Sequence, residues 1–111
     1  MTTLLYTHEA CFAHDPGSHD PESPARLKAV LDALSDPAFA GLVRREAPRA
    51  AVEDLARAHS RRFVEAMLKA IPATGHAAID ADTILSPGSG EAALRAAGAV
   101  TAAVDAVLAG E

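Results

Sequence analysis

The sequence lacks tryptophan and contains few aromatic residues of any kind. Its 111 residues include three phenylalanines and one tyrosine, so aromatic residues make up 4% of a chain that is 50% hydrophobic. Core volume must therefore come from leucine, valine and abundant alanine, each of which buries little area. This composition predicts closely packed helices rather than a thick core, and the length predicts one domain at most.

Cysteine and positive charge are also scarce. The single cysteine, Cys11, excludes an internal disulfide framework and suits a reducing compartment. The formal net charge is −5, and the arginines within 44–49 are too few to form a surface for nucleic acid. The opening MTTLLY lacks the basic segment of a signal peptide, and the apolar run 96–104 is too short to span a bilayer. We expect a cytoplasmic protein that binds neither nucleic acid nor membrane.

The hydrophobic periodicity predicts an α/β chain that is mostly helical. Two short strands alternate with helices, and turn-forming residues separate the later elements. Strands are predicted at 3–7 and 42–45, helices at 24–35, 51–58, 61–71 and 89–109, a loop at 73–78, and a run of turn formers at 86–90.

The densest group of chemically active side chains lies in residues 14–26, HDPGSHDPESPAR. Pro16 and Gly17 predict a turn, because proline fixes φ and glycine is free to adopt a positive φ. Ser23 is a predicted N-cap, followed by proline at the first helical position. We expect this polar loop to be held at the mouth of a buried helix, where loops carry function.

Four residues near the start have side chains that bind metals. His8, Cys11 and His14 are spaced three apart, and His19 follows five residues later. The spacing would suit a metal ion in a helix, but the turn formers before His19 break that geometry. We interpret the segment as a loop with surface histidines and a half-buried thiol, and keep a metal-binding module as an alternative. His59 is interpreted as a residue hydrogen-bonded between two helices rather than a catalytic base.

The last predicted helix is apolar over more than half of its circumference. One stripe comprises Leu94, Ala97, Thr101, Val104 and Leu108, and valines and alanines fill its flank. Gly98 and the alanines permit a close approach to a neighbouring backbone. Such a helix is buried on several sides, yet the chain offers too little to cover it. The two strands would also be parallel, and parallel strands need a larger sheet.

Taken in order, the segments resemble the N-terminal third of bacterial histone-deacetylase-like proteins, which include acetoin-utilisation proteins and acetylpolyamine amidohydrolases. The matching segments are LLYTHEACFAHD, HDPGSHDPESPARL, His59 with Phe63 and Val64, DADTILSPGS, and EAALRAAGAVTAAVDAVLAG. They cover essentially the whole chain. Asp20 departs from the family pattern, which has histidine there, whereas Glu22, Pro24, Arg26 and Leu27 match it.

The resemblance implies an arginase-like, parallel-sheet, three-layer α/β sandwich, with residues 1–111 as an N-terminal part that is incomplete at its C-terminus. It implies hydrolysis of acetyl-lysine or related N-acyl amides, in an acetylated small molecule or protein. In that chemistry zinc polarises the carbonyl and a histidine pair transfers protons. The chain has no adjacent histidines and its last is His76. We therefore expect the zinc ligands and catalytic residues downstream, and no catalysis by this chain alone.

Two family roles fall on residues of this chain. Asp82 matches a carboxylate at the pocket rim that accepts hydrogen bonds from substrate N–H groups; the alternative is that Asp80, Asp82 and Ser86 cap a turn. Arg26 matches an arginine beside the channel through which acetate leaves; the alternative is an ion pair with Glu22. The competing class of function is a small, non-enzymatic helical module that binds a partner, or oligomerises, through the last helix.

Overall fold

Four helices, four short strands and two 3-10 segments make up the chain, which a computed structural model describes from residue 1 to residue 111. The strands are β1 (Leu4–Thr7), β2 (Val43–Glu46), β3 (Ala77–Asp80) and β4 (Thr83–Leu85). The helices are α1 (Pro24–Ala33), α2 (Val52–Leu55), α3 (Arg61–Lys69) and α4 (Ser89–Leu108). The 3-10 segments are Glu9–Ala13 and Pro37–Phe39. The α/β class with a majority of helix is confirmed.

The first two strands form the parallel pair that the sequence predicts. Leu4 lies opposite Val43 and Thr7 lies opposite Glu46, and α1 makes the connection between the strands. The pair forms a two-stranded sheet by itself. Parallel pairs of this kind are found inside larger sheets that are covered on both faces.

A second, antiparallel pair was not predicted. β3 and β4 form a hairpin in which Ala77 lies opposite Leu85 and Asp80 lies opposite Thr83, with an irregularity after Ala78. The prediction of a loop at 73–78 is therefore wrong at Ala77 and Ala78, and no strand was predicted at 83–85. The physical reason is that alanine has low intrinsic preference for strands, so the pairing partner and not the local sequence determines the conformation of Ala77 and Ala78.

The starts of α1 and α3 follow from capping residues. Ser23 Oγ accepts a hydrogen bond from the backbone N–H of Arg26 at 3.3 Å, and Ser60 Oγ accepts one from Phe63 at 3.1 Å. Both caps are confirmed. α2 is a single turn, shorter than the predicted 51–58, and Ala51 at its N-cap offers no side-chain acceptor to the free backbone N–H groups.

α4 ends in a Schellman motif. Gly110 adopts a φ of 85°, its N–H donates to the carbonyl of Val107 at 3.0 Å, and the N–H of Glu111 donates to Ala106 at 2.9 Å. This confirms Gly110 as the residue after the C-cap. None of the helices combines the length and the apolar character needed to cross a lipid bilayer.

α4 packs through its small residues. Gly98 lies against the backbone of Pro48, and the N–H of Ala50 donates to the carbonyl of Leu94 at 3.0 Å. Arg95 Nη1 donates to the carbonyl of Ala47 at 3.0 Å. The segment after β2 is thus bound to α4 at three successive points, as the predicted close approach at Gly98 requires.

The opposite face of α4 is uncovered. Val100, Val104, Val107 and Leu108 are 64%, 52%, 68% and 81% exposed. The expectation that this helix is buried on several sides is therefore not met within residues 1–111. Eleven of the 111 residues are buried, and the radius of gyration is 15.5 Å, against about 13 Å for a compact chain of this length. The small residues bury one face, and nothing in the chain lies over the valines.

Two arginines converge on Glu91 in the first turn of α4. Arg95 Nε donates to Glu91 Oε1 at 2.9 Å, and Arg49 Nη2 donates to the same oxygen at 3.0 Å. The hydrogen bonds from Arg95 and Arg49 hold the pKa of Glu91 below its ordinary value. The pKa of Glu91 is therefore lower in the folded protein than in the unfolded protein. The hydrogen bonds from the two arginines stabilise the fold above the unfolded-state pKa, and this stabilisation is lost as the pH falls through the folded-state pKa.

We therefore expect the melting temperature to fall as the pH is lowered below about 4.3, the ordinary pKa of a glutamate, and the fall to be smaller in Glu91→Gln. Circular dichroism melts at a series of pH values from neutral downward measure it. Asp105→Asn is the matched control, because Asp105 is a carboxylate of the same helix that forms no ion pair. An equally steep fall in Glu91→Gln and in the wild type would contradict the assignment.

Candidate functional site

A cavity of about 430 Å³ lies between the 14–26 loop and the start of α4. Its entrance is polar, with His14, Glu22 and Arg26, and its wall includes Leu27 and alanines of α4. A second cavity of about 290 Å³, mostly apolar, shares Cys11 with the first and lies further along α4. A concave, partly apolar space with a few converging polar groups is the usual form of a small-molecule site.

The 14–26 loop is fastened to the turn before α4 by hydrogen bonds. Pro16 is buried, and Gly17 adopts the positive φ that the sequence predicts, 107°. The turn begins at Gly17, later than predicted, because the N–H of Asp20 donates to the carbonyl of Gly17 at 3.4 Å. The N–H of Asp15 donates to Ser86 Oγ at 3.0 Å, and Ser86 in turn donates to the carbonyl of Ala13 at 3.1 Å. The loop is therefore held in place as predicted, but the expectation that it leads into a buried helix is wrong, because α1 contains no buried residue.

His14 connects this loop to α4. Its Nδ1 lies 2.6 Å from Ser89 Oγ, and its Nε2 lies 3.1 Å from Glu22 Oε2. The backbone N–H of Ser86 donates to Ser89 Oγ at 2.8 Å. The sequence did not reveal this chain of contacts, because His14 and Ser89 are 75 residues apart. The only sequence signal was the turn-forming run SPGSG immediately before the last helix.

Arg26 lies in the first turn of α1 and lines the cavity. It forms no ion pair, and Glu22, the partner that the alternative interpretation assigned to it, contacts His14 instead. The ion pair between Arg26 and Glu22 is thus not formed. An arginine side chain at the cavity wall without a carboxylate partner is available to an anionic ligand.

Asp82 lies in the turn of the β3–β4 hairpin, beside Thr83, which lines the cavity. Asp80 Oδ1 accepts a hydrogen bond from the backbone N–H of Asp82 at 2.9 Å. That bond and one from the Thr83 side chain hold the pKa of Asp80 below its ordinary value. Ser86 contacts Ala13 and not this turn. Asp80 therefore shapes the turn, whereas the Asp82 carboxylate is exposed and accepts no hydrogen bond within the chain.

Three of the four candidate metal ligands contact separate partners, and among them Cys11 Sγ donates to the carbonyl of Ala92 at 3.9 Å. His8 Nδ1 accepts a hydrogen bond from Ala10 and its Nε2 lies 3.1 Å from Glu46, whereas His14 contacts Ser89 and Glu22. Burial raises the pKa of the Cys11 thiol, which disfavours the thiolate that a metal requires. No three histidine, cysteine, aspartate or glutamate side chains in the chain are arranged to hold a metal ion. The alternative of a metal-binding module is contradicted.

His59 lies between α2 and α3 but makes no side-chain hydrogen bond, so that prediction is wrong. Its ring packs against Phe63 with the centroids 5.1 Å apart and the planes tilted by 32°. Both residues are exposed. His59 and Phe63 are four residues apart, so their spacing along the chain is sufficient to explain the contact.

Comparison with known proteins agrees with the motifs. A sequence model described as the histone deacetylase domain matches residues 20–111. The histone deacetylase-like amidohydrolase of Pseudomonas aeruginosa is 35% identical over 129 aligned residues, which cover 98% of this chain and 33% of that protein. The chain therefore spans about a third of the length of this relative. Both matches confirm the resemblance seen in the motifs, and the chain belongs to the histone deacetylase domain family.

Proposed function

We propose that residues 1–111 are the N-terminal part of a zinc-dependent deacetylase domain that hydrolyses acetyl-lysine or a related N-acyl amide. The observation that carries the proposal is the cavity between the 14–26 loop and α4, with the unpaired Arg26 at its wall. Hydrolysis of an acetyl amide releases a small carboxylate, and a free guanidinium is a strong partner for it. The P. aeruginosa relative is described as an amidohydrolase, which is the same reaction class.

The residues of this chain do not fit a zinc site. Such a site needs three or four converging nitrogen, sulfur or oxygen ligands, and no such group is present. Zinc, when bound, polarises the substrate carbonyl; its ligands and the proton-transfer groups are assigned to the rest of the domain. In this assignment, residues 1–111 form the wall of the cavity and part of its rim.

The rim role falls on Asp82. An ionised carboxylate only accepts hydrogen bonds, and the Asp82 carboxylate has no partner within the chain, so it is free to accept from the backbone N–H groups of an acetyl-lysine peptide or from the amine groups of an acetylated small molecule. Asp80 fixes the turn that presents Asp82. The proposed substrates are thus ligands with a hydrogen-bond donor close to the acyl group.

The exposed face of α4 supports an incomplete domain. Its valines and Leu108 are more than half exposed, and burying them would be favourable by roughly 1.5–3 kcal/mol per large side chain. The two-stranded parallel sheet likewise lacks neighbours. We assign both features to further strands and helices of an arginase-like, three-layer sandwich, which would cover the helix and extend the sheet.

The same face favours one other function. A small, non-enzymatic module that binds a partner, or a second copy, through α4 would also present a row of exposed valines. The two hypotheses predict different DNA sequences after the codon for Glu111. A frame that continues past Glu111 into a His-His pair and an Asp/His/Asp set supports the deacetylase. A stop codon directly after Glu111, together with concentration-dependent association of the chain, supports the module.

The proposal predicts that purified 1–111 has no measurable deacetylase activity, because the residues of the chain form no zinc site. The complete gene product is expected to hydrolyse an acetyl-lysine peptide, to lose turnover with a chelator and to recover it with zinc. A fluorogenic acetyl-lysine peptide measures both, with an unacetylated peptide as the blank. Turnover by 1–111 that a chelator abolishes, or turnover by the complete gene product that chelators do not affect, would contradict the proposal.

A further inference from the structure

Two side chains in the cavity, His14 and Arg26, have N–H groups that could donate to Glu22, and Glu22 contacts only His14. Glu22 and Arg26 line the same cavity and are four residues apart. Glu22 Oε2 lies 3.1 Å from His14 Nε2, and no nitrogen of Arg26 lies within 4.0 Å of any carboxylate. Glu22 lies just before the N-cap Ser23 and outside α1, so helical spacing does not pair it with Arg26, but both side chains are exposed and line the same cavity. The structure therefore poses the question of what keeps them apart.

The hydrogen bonds around Ser89 identify what holds His14 in place. Ser89 Oγ accepts from the backbone N–H of Ser86 at 2.8 Å, and the hydroxyl of Ser86 donates to Ala13. The hydroxyl hydrogen of Ser89 has two acceptors within reach, His14 Nδ1 at 2.6 Å and Ser86 Oγ at 3.2 Å, and the contact with His14 is the shorter. The contact between His14 Nε2 and the Glu22 carboxylate at 3.1 Å requires a proton on Nε2, because an ionised carboxylate only accepts hydrogen bonds. A buried serine, 5% exposed, thus orients the imidazole toward Glu22.

We propose that His14 is a positioning residue that restrains Glu22 and so keeps Arg26 free to bind a small carboxylate in the cavity. The proposal rests on the proposed function for the choice of acetate as ligand, but not for the contacts. Without His14, Glu22 swings to Arg26 and occupies the guanidinium as an internal anion. The two carboxylates, one of the chain and one of the ligand, then compete for the same cation.

The test uses the complete gene product and acetate alone, with binding followed by NMR of ¹³C-labelled acetate, so that no turnover is needed. The wild type is expected to bind acetate, and Arg26→Met to lose binding. His14→Phe keeps a planar ring but offers Glu22 no donor, and is expected to weaken acetate binding about fivefold, the effect of a modest ion pair. His14→Phe/Glu22→Gln is expected to return to within about twofold of the wild type, because glutamine does not pair with arginine as an anion.

Rescue by Glu22→Gln separates this role from a merely structural one. A loss in His14→Phe that Glu22→Gln does not reverse would overturn the proposal, and so would unchanged binding in His14→Phe. Arg62→Met, an exposed arginine of α3 outside the cavity, is the control and should bind acetate as the wild type does. If His14→Phe does not fold, Ser89→Ala removes the hydroxyl that orients His14, and a smaller loss, again reversed by Glu22→Gln, is expected.

Activity and binding fail independently in this design. A protein that binds acetate through Arg26 but hydrolyses no acetyl amide would overturn the proposed function and leave the role of His14 intact. A protein that hydrolyses acetyl-lysine while the wild type shows no Arg26-dependent acetate binding would overturn the inference and leave the proposed function intact.

Discussion

Gly98→Ala is expected to lower the free energy of unfolding by about 2–3 kcal/mol, in the upper range for overpacked cores. A Cβ at this position would collide with the carbonyl oxygen of Pro48 and would lie 2.9 Å from the backbone nitrogen of Ala50. Both are backbone atoms, so no rotamer change relieves the clash. Alanine stabilises a helix by about 1 kcal/mol relative to glycine. A net loss of stability in Gly98→Ala is therefore due to the clash with the neighbouring backbone and not to helix propensity.

Urea unfolding of the complete gene product, followed by circular dichroism, measures this effect. Gly41→Ala is the matched control, because a Cβ at Gly41 meets nothing within 4 Å, and its free energy of unfolding should change by less than about 0.5 kcal/mol. Equal midpoints for the two variants would mean that α4 does not lie against the segment after β2 as closely as the structure shows.

The elements that the sequence predicted correctly are those with a local physical cause. Ser23 and Ser60 begin helices because their hydroxyls accept from backbone N–H groups three residues on. Gly110 ends α4 because glycine adopts the positive φ that a Schellman motif requires. The parallel pair follows from two strands joined through a helix. The signals for the caps and for the end of α4 lie within a few residues of the features that they predict, whereas the parallel pair joins strands that α1 separates in the sequence.

The features that the sequence did not predict depend on distant partners. Ala77 and Ala78 are extended because they pair with β4, and alanine carries no such preference. The larger apolar side chains of α4 predicted a buried stripe, but Val104 and Leu108 of that stripe are 52% and 81% exposed, and the contact that forms is the close approach predicted at Gly98. Side-chain size indicated how much surface needs cover, but not which face meets the rest of this chain.

At the candidate site, too, the sequence identified residues but not the contacts that they make. Arg26 and Asp82 were identified by matching motifs to a family, and the structure adds the contacts that separate their alternatives. It pairs Glu22 with His14 rather than Arg26, and it gives the turn-shaping role to Asp80 rather than Asp82. Neither result follows from the spacing of these residues along the sequence. Each depends on which neighbouring group the carboxylate contacts in the folded chain.

Asp82→Asn is expected to lower kcat/KM for an acetyl-lysine peptide by about tenfold to a hundredfold in the complete gene product. Hydrogen bonds to a charged group contribute about 1.5–3 kcal/mol, and this range converts to that loss at about 1.4 kcal/mol per tenfold. Asparagine keeps the size of the side chain but replaces one acceptor oxygen with a donor NH₂ group, which meets the N–H groups of the substrate unfavourably. Steady-state kinetics, with melting temperatures measured in parallel, provide the test.

Asp80→Asn is the control that makes this result specific. Asparagine retains an oxygen that accepts from the backbone N–H of Asp82, and asparagine suits such turns, so kcat/KM should stay within about twofold of the wild type. If Asp80→Asn loses as much activity as Asp82→Asn, the turn and not the free carboxylate governs catalysis. If neither variant loses activity, the rim role of Asp82 fails, and the hairpin only closes the side of the cavity at Thr83. A loss confined to Asp82→Asn, at unchanged melting temperature, leaves substrate binding by its carboxylate as the remaining explanation.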